Sequence, residues 1–206
     1  MSGTDRDAAL KGADVSRETL AKLDQVIATL DRWRLRSNLI GPREWDQIWS
    51  RHVMDCHQLR AHIASSARIV DLGSGAGFPG LVLAASAEAG GHVTMIESVG
   101  KKCAFLHAAI EAAELPATVI QGRVEANDSV HADIVTARAF APMPRLLEYA
   151  SPWLLNGAAG VFQKGARWTE ELTQARETWD FSCEAIPSRS GGAGVILKIS
   201  EVRRVG

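Results

Sequence analysis

Apolar positions along the chain change period once, near residue 67. Before that point they recur every three or four residues. Leu20, Leu23, Val26, Ile27, Leu30 and Trp33 share one face, with Ser16 placed to cap and Glu18 in the first turn, which predicts an amphipathic helix over 16–35. After the break at Gly41-Pro42, Trp45, Ile48, Trp49, Val53, Cys56, Leu59 and Ile63 form a second such stripe and predict a second helix. From residue 67 short β-branched runs take over: ARIVDL, HVTMIE, ATVIQG, DIVTAR and AAGVFQ, separated by segments of helical period such as KKCAFLHAAIEAAE. This alternation predicts βαβ units and a parallel sheet covered on both faces. The tail differs, because WDFSCEAIP and AGVILKIS are joined only by SRSGG, a link suited to an antiparallel hairpin. The expected α/β architecture is a doubly wound, mostly parallel sheet of about seven strands ending in that hairpin. A helical extension at 1–64 packs on a core at 65–206, and no linker separates the two.

Composition narrows the class. The 206 residues suffice for one ample core. No apolar run reaches the roughly 18 residues of a membrane span, and the polar start MSGTDRDAALKGADVS lacks a signal peptide's apolar centre, so a cytoplasmic protein is expected. Cys56, Cys103 and Cys183 are too widely spaced for a disulfide framework or a zinc site. His52, Asp55 and Cys56 lie close together, but their offsets match no metal motif, and no metal is expected. A net charge of −1 means that any nucleic-acid binding must come from local clusters, such as Arg32, Arg34 and Arg36 around Trp33, Lys101-Lys102, or Arg203-Arg204. The spacing of Trp33, Trp45 and Trp49 assigns them to core packing rather than to base stacking.

The chemistry concentrates in VDLGSGAGFPGLVLA, residues 70–84, where a strand runs into four glycines within eight residues and then an apolar helix start. Gly75 to Gly80 matches the G-x-G-x-x-G of dinucleotide binding, in a place where ligands sit beyond the strands' carboxyl ends. Asp71 argues against a dinucleotide, since an acid there repels the pyrophosphate that such a loop cradles. S-adenosylmethionine has no phosphate and offers a cationic amino group instead. Glu97, closing the next strand, suits ribose hydroxyls of either ligand, so an NAD-dependent oxidoreductase stays open on these residues alone.

DLGSGAGFPG, together with NLIGPREWDQIWSRHVMDC, IESVGKKCAFL, GRVE at 122–125 and TARAFAP at 136–142, resembles the bacterial RsmG/GidB family. The likeness runs from about residue 20 to 200 with its motifs in order. It implies a Rossmann-like class I S-adenosylmethionine-dependent methyltransferase that methylates N7 of a guanine in 16S ribosomal RNA. By that resemblance Gly73 and Phe78 line the cofactor pocket, Asp71, Gly75 and Gly77 shape it, Glu97 holds the ribose, and Val124 and Glu125 flank the adenine. Arg138 is the remaining cofactor-site position, facing either the methionine carboxylate or RNA phosphate. Glu97 departs from the Asp found in many members, and Ala76 stands at a variable position. Guanine N7 already carries a lone pair, so in-line transfer needs no general base and no catalytic acid or base is assigned; Arg138 and Lys164 are positioning candidates. RNA contacts are expected from Arg32, Arg34, Arg36, Arg51, Lys101, Lys102, Arg138, Arg145, Lys164 and Arg167, on free 16S RNA or the small ribosomal subunit, with no obligate protein partner. Arg51, His52 and Asp55 either orient the lead-in helices or touch RNA. A methyltransferase of another RNA or small molecule, and a non-catalytic RNA-binding factor, remain alternatives.

Overall fold

In the computed structural model, which describes residues 3–190 and 193–205, chain order runs through eight α-helices and seven strands. The lead-in holds α1 (Gly3–Leu10), α2 (Arg17–Ser37), α3 (Pro42–Trp45) and α4 (Met54–His57). Then come β1 (Arg68–Leu72), α5 (Gly80–Ala85), β2 (His92–Glu97), α6 (Gly100–Ala113), β3 (Ala117–Gln121) and β4 (Ile134–Arg138). The chain closes with α7 (Met143–Leu154), β5 (Ala159–Lys164), α8 (Trp168–Ala175), β6 (Trp179–Pro187) and β7 (Val195–Arg204). The sheet order is β3-β2-β1-β4-β5-β7-β6, parallel from β3 to β5, with β7 inserted antiparallel between β5 and β6. Gly191 and Gly192 of the expected hairpin link lie outside the described residues. Among the described residues no helix is long and apolar enough to cross a membrane.

Two cores sandwich the sheet. On one face α2, α5 and α6 pack over Ile69, Val93 and Met95; on the other α7 covers Val70, Leu72, Ile96 and Val135. Strand alternation sorts these residues, since neighbours along β1 point to opposite faces. The α2 stripe buries Leu23, Val26, Ile27 and Leu30, each worth about 2 kcal/mol of transfer free energy. Ser16 caps α2 by accepting from the Thr19 N–H at 3.1 Å, and Asn38 ends it at φ 47°. Trp33, Trp45 and Trp49 all pack against this core.

The second expected helix is not continuous. After α3 the backbone makes a π turn at Trp49–Val53, then α4, then a 3₁₀ turn at Gln58–His62. The cause is a partner far along the chain. Asp5 of α1 accepts from the N–H groups of Trp49 (2.9 Å) and Ser50 (3.4 Å), capping a fresh start at residue 49. Apolar periodicity carries no sign of such a cap, and the wider turn swings Arg51 and His52 towards the end of β4.

Candidate active site

The glycine loop is held by the ends of two strands. Gly73 donates to the Ile96 carbonyl at 2.9 Å, and Gly75 donates to Glu97 Oε2 at 2.9 Å. Val99 donates to Glu97 Oε1 at 2.8 Å, so the Glu97 carboxylate, 5% exposed, ties the loop to the start of α6. Gly73 sits at φ 64°, and a Cβ there would collide with the ring of Phe140. Gly77, at φ 85°, has the same need for glycine against Leu81. Between these elements lies a cavity of about 320 Å³ whose lining includes Gly73, Glu97, Lys102, Val124, Glu125 and Phe140.

Asp71 lines no part of that cavity. Alternation along β1 turns it beneath the loop towards α5, where it is fully buried. Its Oδ1 accepts from Thr136 Oγ1 at 2.9 Å, bracing β1 against β4, while Oδ2 has no hydrogen-bond partner. Burial pushes this carboxyl up to about 6, against the hydroxyls of Ser74 and Thr136, which favour its charged form. The expected direct partner of a cofactor amino group is thus a buried acid under the loop, acting through its field. The buried Asp71 carboxyl beneath the loop and Glu97 at the end of β2 set two acids around the loop itself, which fits a cationic adenosyl cofactor better than a pyrophosphate, while Lys102 and Arg123 also line the cavity.

A second cavity, of about 850 Å³, opens beyond Ala139, which borders both. Its near wall is Arg138 at the end of β4. The guanidinium donates from Nη1 to His52 Nδ1 (3.1 Å) and Cys56 Sγ (3.5 Å), and from Nη2 to the Arg51 carbonyl (2.9 Å). Burial first, then Arg138, pushes His52 down to about 4, leaving a neutral ring able to accept. Burial raises the Cys56 thiol to about 12, so it stays protonated. The cavity floor is a network centred on Asp55. Oδ1 accepts from Gln58 (2.8 Å), Ser188 (2.9 Å) and Ser190 (2.6 Å), and Oδ2 from Gln163 at 2.9 Å. Lys164 and Glu171 form the far wall as an ion pair at 2.6 Å.

The site residues named from sequence therefore divide. Gly73, Glu97, Val124 and Glu125 meet at the first cavity, while Arg51, Arg138 and Lys164 meet at the second. Gly75, Gly77 and Phe78 line neither: the first two form the loop's backbone, and the Phe78 ring packs against His52 with centroids 5.2 Å apart. Lys164 is committed to Glu171 and to the Ala141 carbonyl, which removes it from the freely exposed cations. Arg34 pairs with Asp31 and covers the Trp45 ring at 4.4 Å, and Arg145 donates to the Tyr149 hydroxyl. Arg32 and Arg36 border a separate hollow beside Trp33, and Arg167 and Lys101 are exposed. Arg51, His52 and Asp55 all orient or surround Arg138. Gln163, Glu171, Ser188 and Ser190 carry no local motif: only the fold brings Gln163, Ser188 and Ser190 to Asp55 and Glu171 to Lys164.

Comparison with known proteins shows the family and the fold. Residues 19–192 match the family model GidB, described as rRNA small subunit methyltransferase G. A ribosomal RNA small subunit methyltransferase G from Hyphomonas neptunium is 68% identical over 200 residues, covering 97% of this chain and 96% of that protein. The enzyme of the same name from Gluconobacter oxydans is 45% identical, covering 93% and 98%. Among solved structures, a methyltransferase from Geobacter sulfurreducens superposes with a TM-score of 0.61 at 16% identity, covering 96% of each chain. At that identity the likeness shows the fold alone, which is the Rossmann-like fold of class I methyltransferases.

Proposed function

The chain belongs to the GidB family, rRNA small subunit methyltransferase G, and from that premise we propose that it transfers a methyl group from S-adenosylmethionine to N7 of a guanine in 16S ribosomal RNA. The observation that carries this reading is the family match over 19–192, which spans every residue of the glycine loop, the Glu97 cavity and Arg138. The substrate is 16S RNA or the small ribosomal subunit, met in the cytoplasm, and the chemistry calls for no obligate protein partner.

In this reading Gly73, Glu97, Val124 and Glu125 hold the adenosine end of the cofactor, with Glu97 accepting from the ribose hydroxyls. Asp71, Gly75, Gly77 and Phe78 set the loop's shape and its field, and Arg138 stands at the junction with the RNA side. Bound S-adenosylmethionine supplies an electrophilic methyl on a positively charged sulfur. Guanine N7 presents a lone pair without losing a proton, so the protein's work is positioning and exclusion of water. Arg138 and Lys164 are positioning residues for that step. Arg51, with an exposed side chain at the mouth of the second cavity, contacts RNA phosphate, as do Lys101, Lys102, Arg145 and Arg167 at the rim and Arg34 and Arg36 further out. Residues 1–64 serve as an extension to a methyltransferase core at 65–206.

The test is to map N7-methylguanine in 16S RNA from cells with and without this gene. One guanine should lose its methyl in the deletion strain and regain it when purified protein and S-adenosylmethionine are added. An identical methylation map in both strains overturns the proposal.

A further inference from the structure

The far wall of the second cavity holds a donor and an acceptor side by side. Lys164 and Glu171 are paired at 2.6 Å with side chains 11% and 16% exposed. Lys164 Nζ gives one proton to Glu171 and a second to the Ala141 carbonyl at 2.8 Å, which leaves one of its three N–H bonds unassigned. On Glu171 the contacts fall on a single oxygen: Oε2 accepts from Lys164 and from the Met143 N–H at 2.9 Å. Among the described residues Oε1 accepts from none, and both side chains belong to residues that line the cavity. Asp55, the other acid of the cavity, is saturated by Gln58, Ser188, Ser190 and Gln163. Ala139, where the two cavities meet, is held at φ 51°, a strained conformation of the kind maintained at functional sites.

Resting on the guanine methylation proposed above, we propose that the second cavity seats the target guanine and that the Lys164–Glu171 pair reads its Watson–Crick edge. Guanine offers an acceptor at O6 beside a donor at N1–H. The free Lys164 proton meets O6, and Glu171 Oε1 accepts from N1–H. Adenine offers the opposite order, a donor at N6 beside an acceptor at N1, and faces like against like. The same pairing serves the chemistry. The N7 lone pair forms the new carbon–nitrogen bond, the sulfur–carbon pair stays on sulfur, no proton leaves, and the positive charge passes to the base. A carboxylate on N1–H gains strength as that charge arrives, so it binds the transition state better than the ground state.

The test compares RNAs that differ only at the mapped target base, measured by equilibrium binding with S-adenosylhomocysteine present. The wild type should prefer guanine to adenine by about tenfold or more. Glu171→Gln, whose amide can present either a donor or an acceptor, should bring that ratio to within about twofold while its affinity for S-adenosylhomocysteine is unchanged. A ratio unchanged in Glu171→Gln overturns the inference, because a merely structural loss would weaken both RNAs alike. If that variant fails to bind S-adenosylhomocysteine, wild type with N1-methylguanine at the target decides instead: binding should fall about tenfold, and equal binding overturns the inference. Absence of any N7 methylation by the wild type would count against the proposed function and not against this wall.

Discussion

The two cavities that meet at Ala139 are built differently. The first is tied together by shorter-range bonds, with Glu97 reaching Gly75 across 22 positions and Val99 across two, and its lining gathers strand ends and short loops between Gly73 and Tyr149. The second is assembled from distant chain, with Gln163 bonded to Asp55 across 108 positions and Ser190 across 135. A local site is specified by a motif and tolerates change elsewhere. An assembled site depends on every element that carries one of its walls, and so on the packing of the lead-in helices.

The sharpest separation of the two comes from Glu97→Ala. It removes a charged acceptor from two backbone N–H groups and from the bound ribose, each worth about 1.5–3 kcal/mol. Affinity for S-adenosylhomocysteine should fall by about 100-fold or more in calorimetry, with RNA binding in the absence of cofactor unchanged. An equal loss of both would mean that the cavities are not separable.

Acid and base responses divide along the same line, with opposite signs. Asp71 sits under the first cavity with its carboxyl raised from 3.8 to about 6, so its contribution to stability is full below pH 4 and is lost as pH rises through 6. His52 flanks the second with its ring lowered from 6.5 to about 4, so its contribution is present above pH 6.5 and is lost as pH falls through 4. Each amounts to about 3 kcal/mol at its limit. Denaturant titrations should therefore show Asp71→Asn gaining stability over wild type at pH 8 and losing that gain near pH 4. His52→Phe should show a flatter decline between pH 6.5 and 4. Parallel pH profiles for both variants and wild type would refute the assignment.

Asp55→Asn probes the assembled site directly. It leaves the hydroxyls of Ser188 and Ser190 and the Gln163 amide facing a weaker, neutral acceptor, at a cost of about 1–2 kcal/mol. Methyl transfer to RNA should drop about tenfold, with S-adenosylhomocysteine affinity within about twofold of wild type. The smallest effect is expected from Arg51→Ala, which should reduce the slope of log RNA affinity against log salt by about one without altering cofactor binding. Lys22→Ala, whose side chain pairs with Glu18 at 2.7 Å and has no part in the RNA surface, serves as its control and should leave that slope in place.

How far the chain could be read in advance follows the same division. The parallel strands and their helices were legible because burial on both faces imposes β-branched runs and burial on one imposes a helical stripe. Gly73 and Glu97 were legible as well, because a backbone that must bend left-handed and an acid that must end a strand leave marks within a few residues. Asp71 was found but its place was not: the charge was visible, whereas its burial beneath the loop depends on which face of β1 α5 covers. The π turn at Trp49–Val53 was hidden because its cap, Asp5, comes from another helix. The pairing of Lys164, an expected positioning and RNA-contact residue, with Glu171 leaves no mark in the sequence, because the two lie seven residues apart across a loop whose path no pattern records.

By itself, then, the sequence determined the α2 helix, the run of parallel strands ending in an antiparallel pair, and a glycine loop unsuited to a pyrophosphate, since each of these is a consequence of periodicity, turn chemistry or local charge. The tertiary structure alone decided that Arg138 is clamped by Arg51, His52 and Cys56, that Asp55 joins residues 58, 163, 188 and 190, and that Lys164 and Glu171 face a common cavity. The reason is physical. A hydrogen bond between residues 82 to 135 positions apart, as most of these are, constrains neither residue's neighbours along the chain, so it leaves no local trace until the packing of the sheet and the lead-in helices brings the two ends together.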